Sequence, residues 1–435
     1  TQENEPEKVF YWLWRFYPEL LAKQPQQNQQ NQALLVPAHK ILPDCPQHSF
    51  RATVSALVGA TLNWQTKSSE NPCLLLFTFS PVQEFIKASR KFLDFWSGSY
   101  LLHYLSAKLC WLIAQEYGPD AIITPSLWGQ EIIDAFILQK YPNFADYFQQ
   151  ISPDKLTPVE RFQQQKSTSL STAGFPNVIT ALVPGKAAAT ALGKKLADDL
   201  TKEWRQIGDK VKADIRKKVT DFLKNEHERE KFWQEFAKTI PKSTDPEPFI
   251  RDLEKWERES NWEWNKLWDS QLNHTWESYW TVVPLGVAPL EIDKNKPEYE
   301  NWKKAQSNIA QPRWDQPTPT DAEETIYSKF NVGTWWGVLQ ARLGKSIQAV
   351  KNTRTWNIPV SPGERSSLSG QFSAAHPGLN YRDKFTEGAG ISAGSLRLFW
   401  ELIAKVYPGL FNGSEKLNCL ELTKRMAWQY GGVAE

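Results

Sequence analysis

The chain has 435 residues, room for two or three domains, and its 51 basic and 49 acidic residues leave a formal net charge of only +2. So even a balance excludes a global basic field, and any nucleic-acid contact has to be local. No apolar run reaches the roughly 18 residues that a membrane span needs. The opening TQENEPEK is acidic and polar, unlike a signal peptide. Cys45, Cys73, Cys110 and Cys419 lack paired spacing and suit thiols in a reducing compartment. A soluble, cytoplasmic protein is expected. The single methionine suggests that the chain does not begin at a native start.

Residues 9–21 (VFYWLWRFYPELL) read as a short aromatic helix or strand, and residues 24–32 as a solvated loop rich in glutamine and asparagine. Residues 49–62 have helical spacing at Phe50, Val54, Leu57, Val58 and Leu62. His39, Asp44 and His48 suggest a metal-dependent phosphohydrolase of histidine–aspartate type. That chemistry needs several His and Asp ligands converging on the metal. No adjacent His-Asp pair is present, so turn and helix-entry roles are expected.

The chain is organised around residues 74–102, LLLFTFSPVQEFIKASRKFLDFWSGSYLL. Residues 74–79 are apolar but for Thr78 and stand between turn signals, which predicts a buried strand. The period then changes. Val82, Phe85, Ile86, Phe92, Leu93 and Trp96 predict an amphipathic helix, with Ser80 as its N-cap and Pro81 in its first turn. A helix N-terminus beside a strand end suits an anion or phosphate. The helix is expected to continue past Gly98 to Gly118-Pro119 along Leu101, Leu105, Leu109, Leu112 and Ile113. Residues 121–125 predict a second strand. Strand–helix–strand over about 50 residues is the first half of a ferredoxin-like arrangement. Residues 127–138 predict a helix, 143–172 an irregular surface insertion, and 175–185 a third strand.

A long helical segment is expected over 186–239, with Leu196, Leu200, Trp204, Ile207, Val211, Ile215, Val219 and Phe222 on one face. Pro241 separates it from a second helix over 245–272, which makes an antiparallel pair. The charged faces read as solvated surface, with a nucleic-acid or subunit contact as the alternative. Residues 276–285 (WESYWTVVPL) predict a fourth strand and 286–320 a proline-rich loop. Thr320 with Glu323 makes a capping box, and 334–350 predict another helix. The 21 tryptophans allow two readings. Trp335, Trp336 or the tryptophans of 262–268 could stack on single-stranded RNA; more often such residues fill cores and subunit interfaces.

Six blocks stand in a telling order: VPAHKILPDCPQHSFRATVSALVGA (36–60), FSPVQEFIKASRKFLDFWSGSYLL (79–102), FPNVITALVP (175–184), ESYWTVVPL (277–285), PGERSSLSGQF (362–372) and EKLNCLELTKR (415–425). In that order, over nearly the whole chain, they resemble the large signature subunit of type III CRISPR–Cas effector complexes in its Cmr (III-B) form. The resemblance implies an α+β fold: a ferredoxin-like, cyclase-type palm with a long helical insertion, followed by a small helical, zinc-finger-like domain. Residues 1–70 would be a reduced HD-like region and 71–350 the first palm, with its helical insert over 186–272. Residues 351–435 would be a degenerate zinc-finger-like domain.

The resemblance also implies ATP at a palm–palm interface. Ser80, Gln83, Arg90, Asp94, Trp96, Ser97, Gly98 and Ser99 are the matching nucleotide-binding positions, where small residues allow close phosphate or ribose approach. Helix packing is the competing reading of the same residues. Family members convert ATP to cyclic oligoadenylate through GGDD acids that hold two metals in a second palm. This sequence has none, since Tyr430-Gly431-Gly432 runs on into Val433-Ala434-Glu435. No catalytic residue is assigned, and the segment alone is expected to be inactive. In the family, two C-x2-C pairs bind zinc; here Ser366, Ser369, Asn418 and Glu421 stand at those positions, with Cys419 displaced by one. His376 and Cys419 alone cannot close a site, so zinc is not expected. Leu396, Leu398, Phe399, Leu402 and Ile403 are expected to hold that domain instead. The implied partners are other subunits of the effector complex near the crRNA 5′ end, with crRNA and target RNA reached through the complex and no membrane. The implied role is a scaffold and nucleotide-framing palm. The alternative is part of an active cyclic-oligoadenylate synthetase or HD-type nuclease completed by a C-terminal palm beyond Glu435.

Overall fold

The computed structural model describes residues 5–23, 34, 37–39, 42–62, 71–286, 295, 297, 300, 334–353, 363–379 and 391–429. The aromatic opening is helical, as α1 (Pro6–Arg15) and α2 (Tyr17–Ala22). A small antiparallel ribbon of β1 (Pro37–His39) and β2 (Leu42–Pro46) leads into α3 (Gln47–Leu62). The main sheet is built from β3 (Cys73–Ser80), β4 (Ile122–Thr124), β5 (Val178–Val183) and β6 (Glu277–Pro284). Their order is β4-β5-β3-β6, and every pairing is antiparallel.

Helices fill each connection. Between β3 and β4 lie α4 (Gln83–Lys87) and α5 (Phe92–Tyr117). Between β4 and β5 lie α6 (Glu131–Lys140), α7 (Ala145–Ile151) and α8 (Pro158–Gln163). The longest connection, from β5 to β6, carries α9 (Gly185–Lys224), α10 (Glu226–Ala237), α11 (Glu247–Trp256) and α12 (Asn265–Asn273). After the sheet come α13 (Thr334–Asn352), α14 (Ala393–Val406) and α15 (Cys419–Met426). The result is an α+β fold, mostly helical.

The apolar run of β3, interrupted by Thr78, follows from burial on both faces. Cys73, Leu75, Phe77 and Phe79 belong to the large core shared with α5 and α9, which extends from Tyr11 to Ala427. Leu74 meets a second cluster with Leu182, Val283, Ala56 and Ala60 of α3, and Leu339 and Leu343 of α13. On α9 the predicted stripe from Leu196 to Val219 is buried, each such side chain contributing about 1.5–3 kcal/mol relative to exposure. Near its start α9 comes very close to β6. A Cβ on Gly193 would stand 2.4 Å from Cδ2 of Trp280, so only glycine permits the contact.

Several expectations are corrected. The helix expected from Val82 past Gly98 is two helices, broken at residues 88–91. Ser80 is no N-cap: it still pairs with Glu277 in the sheet, and Val82 precedes α4 without a side-chain cap. With only five residues, α4 lacks the length to make a phosphate-binding N-terminus. Residues 143–172 are not a surface insertion, because Phe144, Phe148 and Ile151 are buried in the core. Phe16 of the N-terminal segment packs edge-on against Phe144 and Phe148 at 5.2 and 4.7 Å. The 186–239 helix ends early because the Asn225 side chain caps α10 by accepting the Glu228 N–H. The 245–272 helix is likewise divided into α11 and α12. The loops over 24–32 and 287–320 and the Thr320–Glu323 capping box lie outside the described residues, apart from 295, 297 and 300. No described helix is long and apolar enough to cross a membrane.

Candidate functional site

Ser80, half-buried, ends β3 and joins Pro81 through a cis peptide. Gln83 opens α4 on the exposed side, and Arg90 is exposed in the break that follows. The break has a local cause. The Asp94 carboxylate accepts the backbone N–H groups of Arg90 and Lys91, both at 3.1 Å, and so caps α5 from inside its first turn. Farther along α5, half-buried Trp96 stacks on Tyr100, with centroids 5.4 Å apart and planes 9° apart. Ser97 and Gly98 are buried, and Ser97 Oγ has no hydrogen-bond partner among the described residues. Ser99 is half-buried, while Phe92 and Phe95 stand 81% and 50% exposed. The eight positions therefore divide. Asp94, Ser97 and Gly98 lie inside the protein; Ser80, Gln83, Arg90, Trp96 and Ser99 keep contact with solvent.

Asp94 is held from the far end of the chain as well. The helix α15 is buried along its whole length and packs on α5, α9 and α12. From it, Arg425 Nε and Nη2 each donate to one Asp94 oxygen at 2.8 Å, and Nη1 donates to Glu415. Burial opposes ionisation of Asp94. The hydrogen bonds and charge of Arg425, with the two backbone N–H groups, outweigh it and hold the carboxyl below its ordinary value. Beside it, Lys424 Nζ donates to the carbonyls of Phe85 (2.6 Å) and Ala88 and to Ser89 Oγ (3.2 Å). It thereby satisfies carbonyls that the short α4 leaves open. Burial pulls the Lys424 ammonium down to about 8, with Asp94 and Glu421 acting the other way. Its stem crosses Gly98, where a Cβ would come 3.1 Å from Lys424 Cδ.

The other end of α15 gathers Ser366, Ser369, Asn418 and Glu421 into one knot. Glu421 Oε2 accepts from Ser366 Oγ at 2.5 Å and from the Asn418 N–H at 3.0 Å, and Oε1 accepts the Ser369 N–H at 3.1 Å. Asn418 caps the helix, its Oδ1 accepting the Glu421 N–H at 2.9 Å, and its Nδ2 reaches Ser369 Oγ at 3.4 Å. This donor set does not fit zinc. Structural zinc takes thiolates and imidazoles, whereas here there are two hydroxyls, an amide and one carboxylate whose oxygens are already engaged. Among the described residues no group of three or more His, Cys, Asp or Glu is placed to hold a metal. His376 and Cys419 serve other contacts. His376 meets Ser395 Oγ at 3.1 Å and accepts the Gly378 N–H at 3.1 Å, with burial pushing its imidazole down to about 3. The Cys419 N–H donates to Gln271 Oε1 at 2.8 Å. Leu396, Leu398, Phe399, Leu402 and Ile403 are all buried on α14.

Sequence reasoning missed His103. One turn beyond Ser99, its Nδ1 accepts the backbone N–H groups of Gly174 and Phe175, both at 3.0 Å, and ties the approach to β5 onto α5. Burial pushes this imidazole down to about 4, so it is neutral at pH 7. No spacing rule announces such a residue. His48, weighed as a metal ligand, lies against Trp128 with ring centroids 4.4 Å apart. The side chains of His39 and Asp44 lie outside the described residues. Trp262, Trp264 and Trp268 are buried and fill the core; Trp336 is 38% exposed, and the Trp335 side chain lies outside the described residues.

Fold and site define an α+β protein in which buried charges and hydrogen bonds fasten a later helix to the first strand–turn–helix unit of an antiparallel sheet. Residues 74–209 match the family model described as CRISPR-associated protein Cmr2, N-terminal. Over those residues the chain is therefore similar to the N-terminal region of Cmr2. It is 26% identical over 235 residues to the CRISPR system Cmr subunit Cmr2 of Pyrococcus furiosus, an alignment covering 51% of this chain and 21% of that protein. A cryo-EM structure of type III-B Cmr-beta in the apo state contains a chain similar to it at TM-score 0.50 and 15% identity, covering 98% of this chain and 38% of that one. A chain of Cmr-beta bound to cognate target RNA matches at TM-score 0.49 and 14% identity, with the same coverage. The chain therefore spans well under half the length of these relatives.

Proposed function

We propose that this chain is the N-terminal part of the large subunit of a type III-B RNA-guided antiviral effector complex, acting as a scaffold whose first palm frames a nucleotide. The sheet order supports the palm assignment. In it β5 lies antiparallel between β3 and β4, which is the split β-α-β arrangement of a ferredoxin-like fold. The helices α9 to α12 are then the insertion, and the Ser366–Glu421 knot belongs to the degenerate zinc-finger-like part.

The observation that carries the nucleotide reading is the division of the eight positions on residues 80–99. Ser80, Gln83, Arg90, Trp96 and Ser99 reach solvent along one strand–turn–helix, beside the uncovered rings of Phe92 and Phe95. Arg90 offers a cation to phosphate, Ser80 and Ser99 offer hydroxyls, and Trp96 offers a ring face to a base or sugar. Asp94 and Gly98 shape the platform from within. ATP is the substrate this surface would help to frame at a palm–palm interface, the catalytic acids coming from elsewhere in the subunit. Other subunits, crRNA and target RNA are reached through the assembly.

The test is ATP binding by the assembled complex, with wild-type chain and with Trp96→Ala combined with Ser99→Ala. A stacking contact predicts an affinity loss of about tenfold. Unchanged affinity overturns the nucleotide reading, and cyclic product made by this chain alone from ATP sinks the scaffold reading.

A further inference from the structure

A second concave site lies away from residues 80–99, between α1, α3 and the C-terminal end of α5. It is a cavity of about 440 Å³ walled by Phe10 and Val58 and carrying three carboxyl groups, Glu7, Glu116 and Asp120, with no basic residue in its lining. Two of these acids already have cations: Glu7 pairs with Lys140, and Glu116 with Lys195 at 2.7 Å. Asp120 is different. It is 8% exposed, accepts hydrogen bonds from Ser55 and from the backbone of its own turn, and has no cation partner among the described residues. Burial pushes its carboxyl above the ordinary range, the condition that an incoming cation would relieve.

The helices flanking the cavity carry uncovered apolar stripes at helical spacing. Val9 and Leu13 of α1, continued by Tyr17 and Leu21 of α2, are 40–47% exposed. Phe50, Val54, Val58 and Leu62 of α3 are 41–59% exposed, and Val58 is also part of the cavity wall. Uncovered apolar rows of this kind are what the apolar face of an amphipathic helix docks against. Three carboxyl groups with no basic residue in the cavity lining select the sign of what enters.

We infer that this cavity takes a lysine or arginine side chain, presented on an apolar helix of a neighbouring subunit whose flanking residues cover the α1 and α3 stripes. The occupant is a polypeptide of basic, amphipathic character. The inference rests on the proposed place of the chain in a multi-subunit complex, but it concerns a surface that the nucleotide reading does not use.

The experiment places the photo-reactive residue benzoylphenylalanine at Val54 in the full chain, assembles it with the other type III-B subunits, and maps cross-links by mass spectrometry. The expected product joins Val54 to a helix of another subunit that bears Lys or Arg. Asp120→Asn, which keeps the Ser55 hydrogen bond, should lower that yield at least fivefold without lowering the melting temperature of the free chain. Cross-links confined to this chain overturn the inference. So does an Asp120→Asn variant with unchanged yield, or one that loses yield and thermal stability together. A chain that co-elutes with the complex but shows no such cross-link overturns this inference alone, and a chain that fails to assemble overturns both readings.

Discussion

Arg425 grips Asp94 through two hydrogen bonds of 2.8 Å across 331 positions of sequence, with the side chains of both residues closed to solvent. The same carboxylate caps the first turn of α5, so one acidic group fixes both the start of that helix and the seat of α15. A buried pair of this kind adds little over a well-packed apolar replacement. Breaking one half leaves a charge stranded in a poorly solvated place.

That asymmetry is measurable by urea unfolding. Asp94→Asn or Arg425→Met alone should each cost about 3–5 kcal/mol. The double replacement Asp94→Asn with Arg425→Met keeps an acceptor for the Arg90 and Lys91 N–H groups but leaves Glu415 without its cation, so it should recover only part of that loss. Two single variants that each cost less than about 1 kcal/mol would remove the pair from any structural role.

His103 gives the fold an acid limit. Its Nδ1 must stay unprotonated to accept the Gly174 and Phe175 amides, and its folded value of about 4 lies below the ordinary 6.5. His376, at about 3, is displaced in the same direction. The unfolded chain therefore binds more protons than the native one, so this contribution is complete above pH 6.5 and is lost as pH falls toward 4. The hydrogen-exchange protection factors of Gly174 and Phe175, taken against the intrinsic rate at each pH, should fall between pH 6.5 and 5. His103→Gln, which keeps an acceptor without a titrating ring, should flatten the response.

The knot at the start of α15 predicts a convertible site. Ser366, Ser369, Asn418 and Glu421 already meet through hydrogen bonds of 2.5–3.4 Å. Replacing all four with cysteine should create a tetrahedral thiolate site. Cobalt added to that variant should give thiolate-to-metal absorption at one equivalent, whereas the native chain should give none. Failure of the variant to bind cobalt would mean that the four positions do not surround a common point.

Gly193→Ala should be costly for a single methyl group. The new Cβ meets the Trp280 ring at 2.4–2.9 Å, and moving that ring disturbs the contact between α9 and β6. Overpacking of this kind costs about 1–3 kcal/mol, to be read as a lowered melting temperature. An unchanged melting temperature would mean that Trp280 swings aside freely.

The strands were legible because burial on both faces of β3 leaves a run of apolar residues with nothing else to mean. The stripe on α9 was legible for the matching reason, a single face repeated over many turns. The break at residues 88–91 was not, because part of its support comes from Lys424, more than 330 positions away. Phe144, Phe148 and Ile151 have helical spacing too, but polar neighbours on two short helices dilute it below recognition. At the site, resemblance pointed to Asp94 and Gly98, and local pattern could not tell that Arg425 and Lys424 occupy them. His103 belongs to the same class of residue, defined by contacts across the fold rather than along the chain.

The grip of Arg425 on Asp94 also sets a timetable. Strand β3 and helices α4 and α5 leave the ribosome early, yet the carbonyls of Phe85 and Ala88 and the carboxylate of Asp94 wait for partners 331–339 positions later. At about 5–20 residues per second, that delay is roughly 17–68 s. During it the nascent unit carries Asp94 without its base. Contacts so remote in sequence are slow to form, so a unit synthesised well before α15 is among the last to be completed.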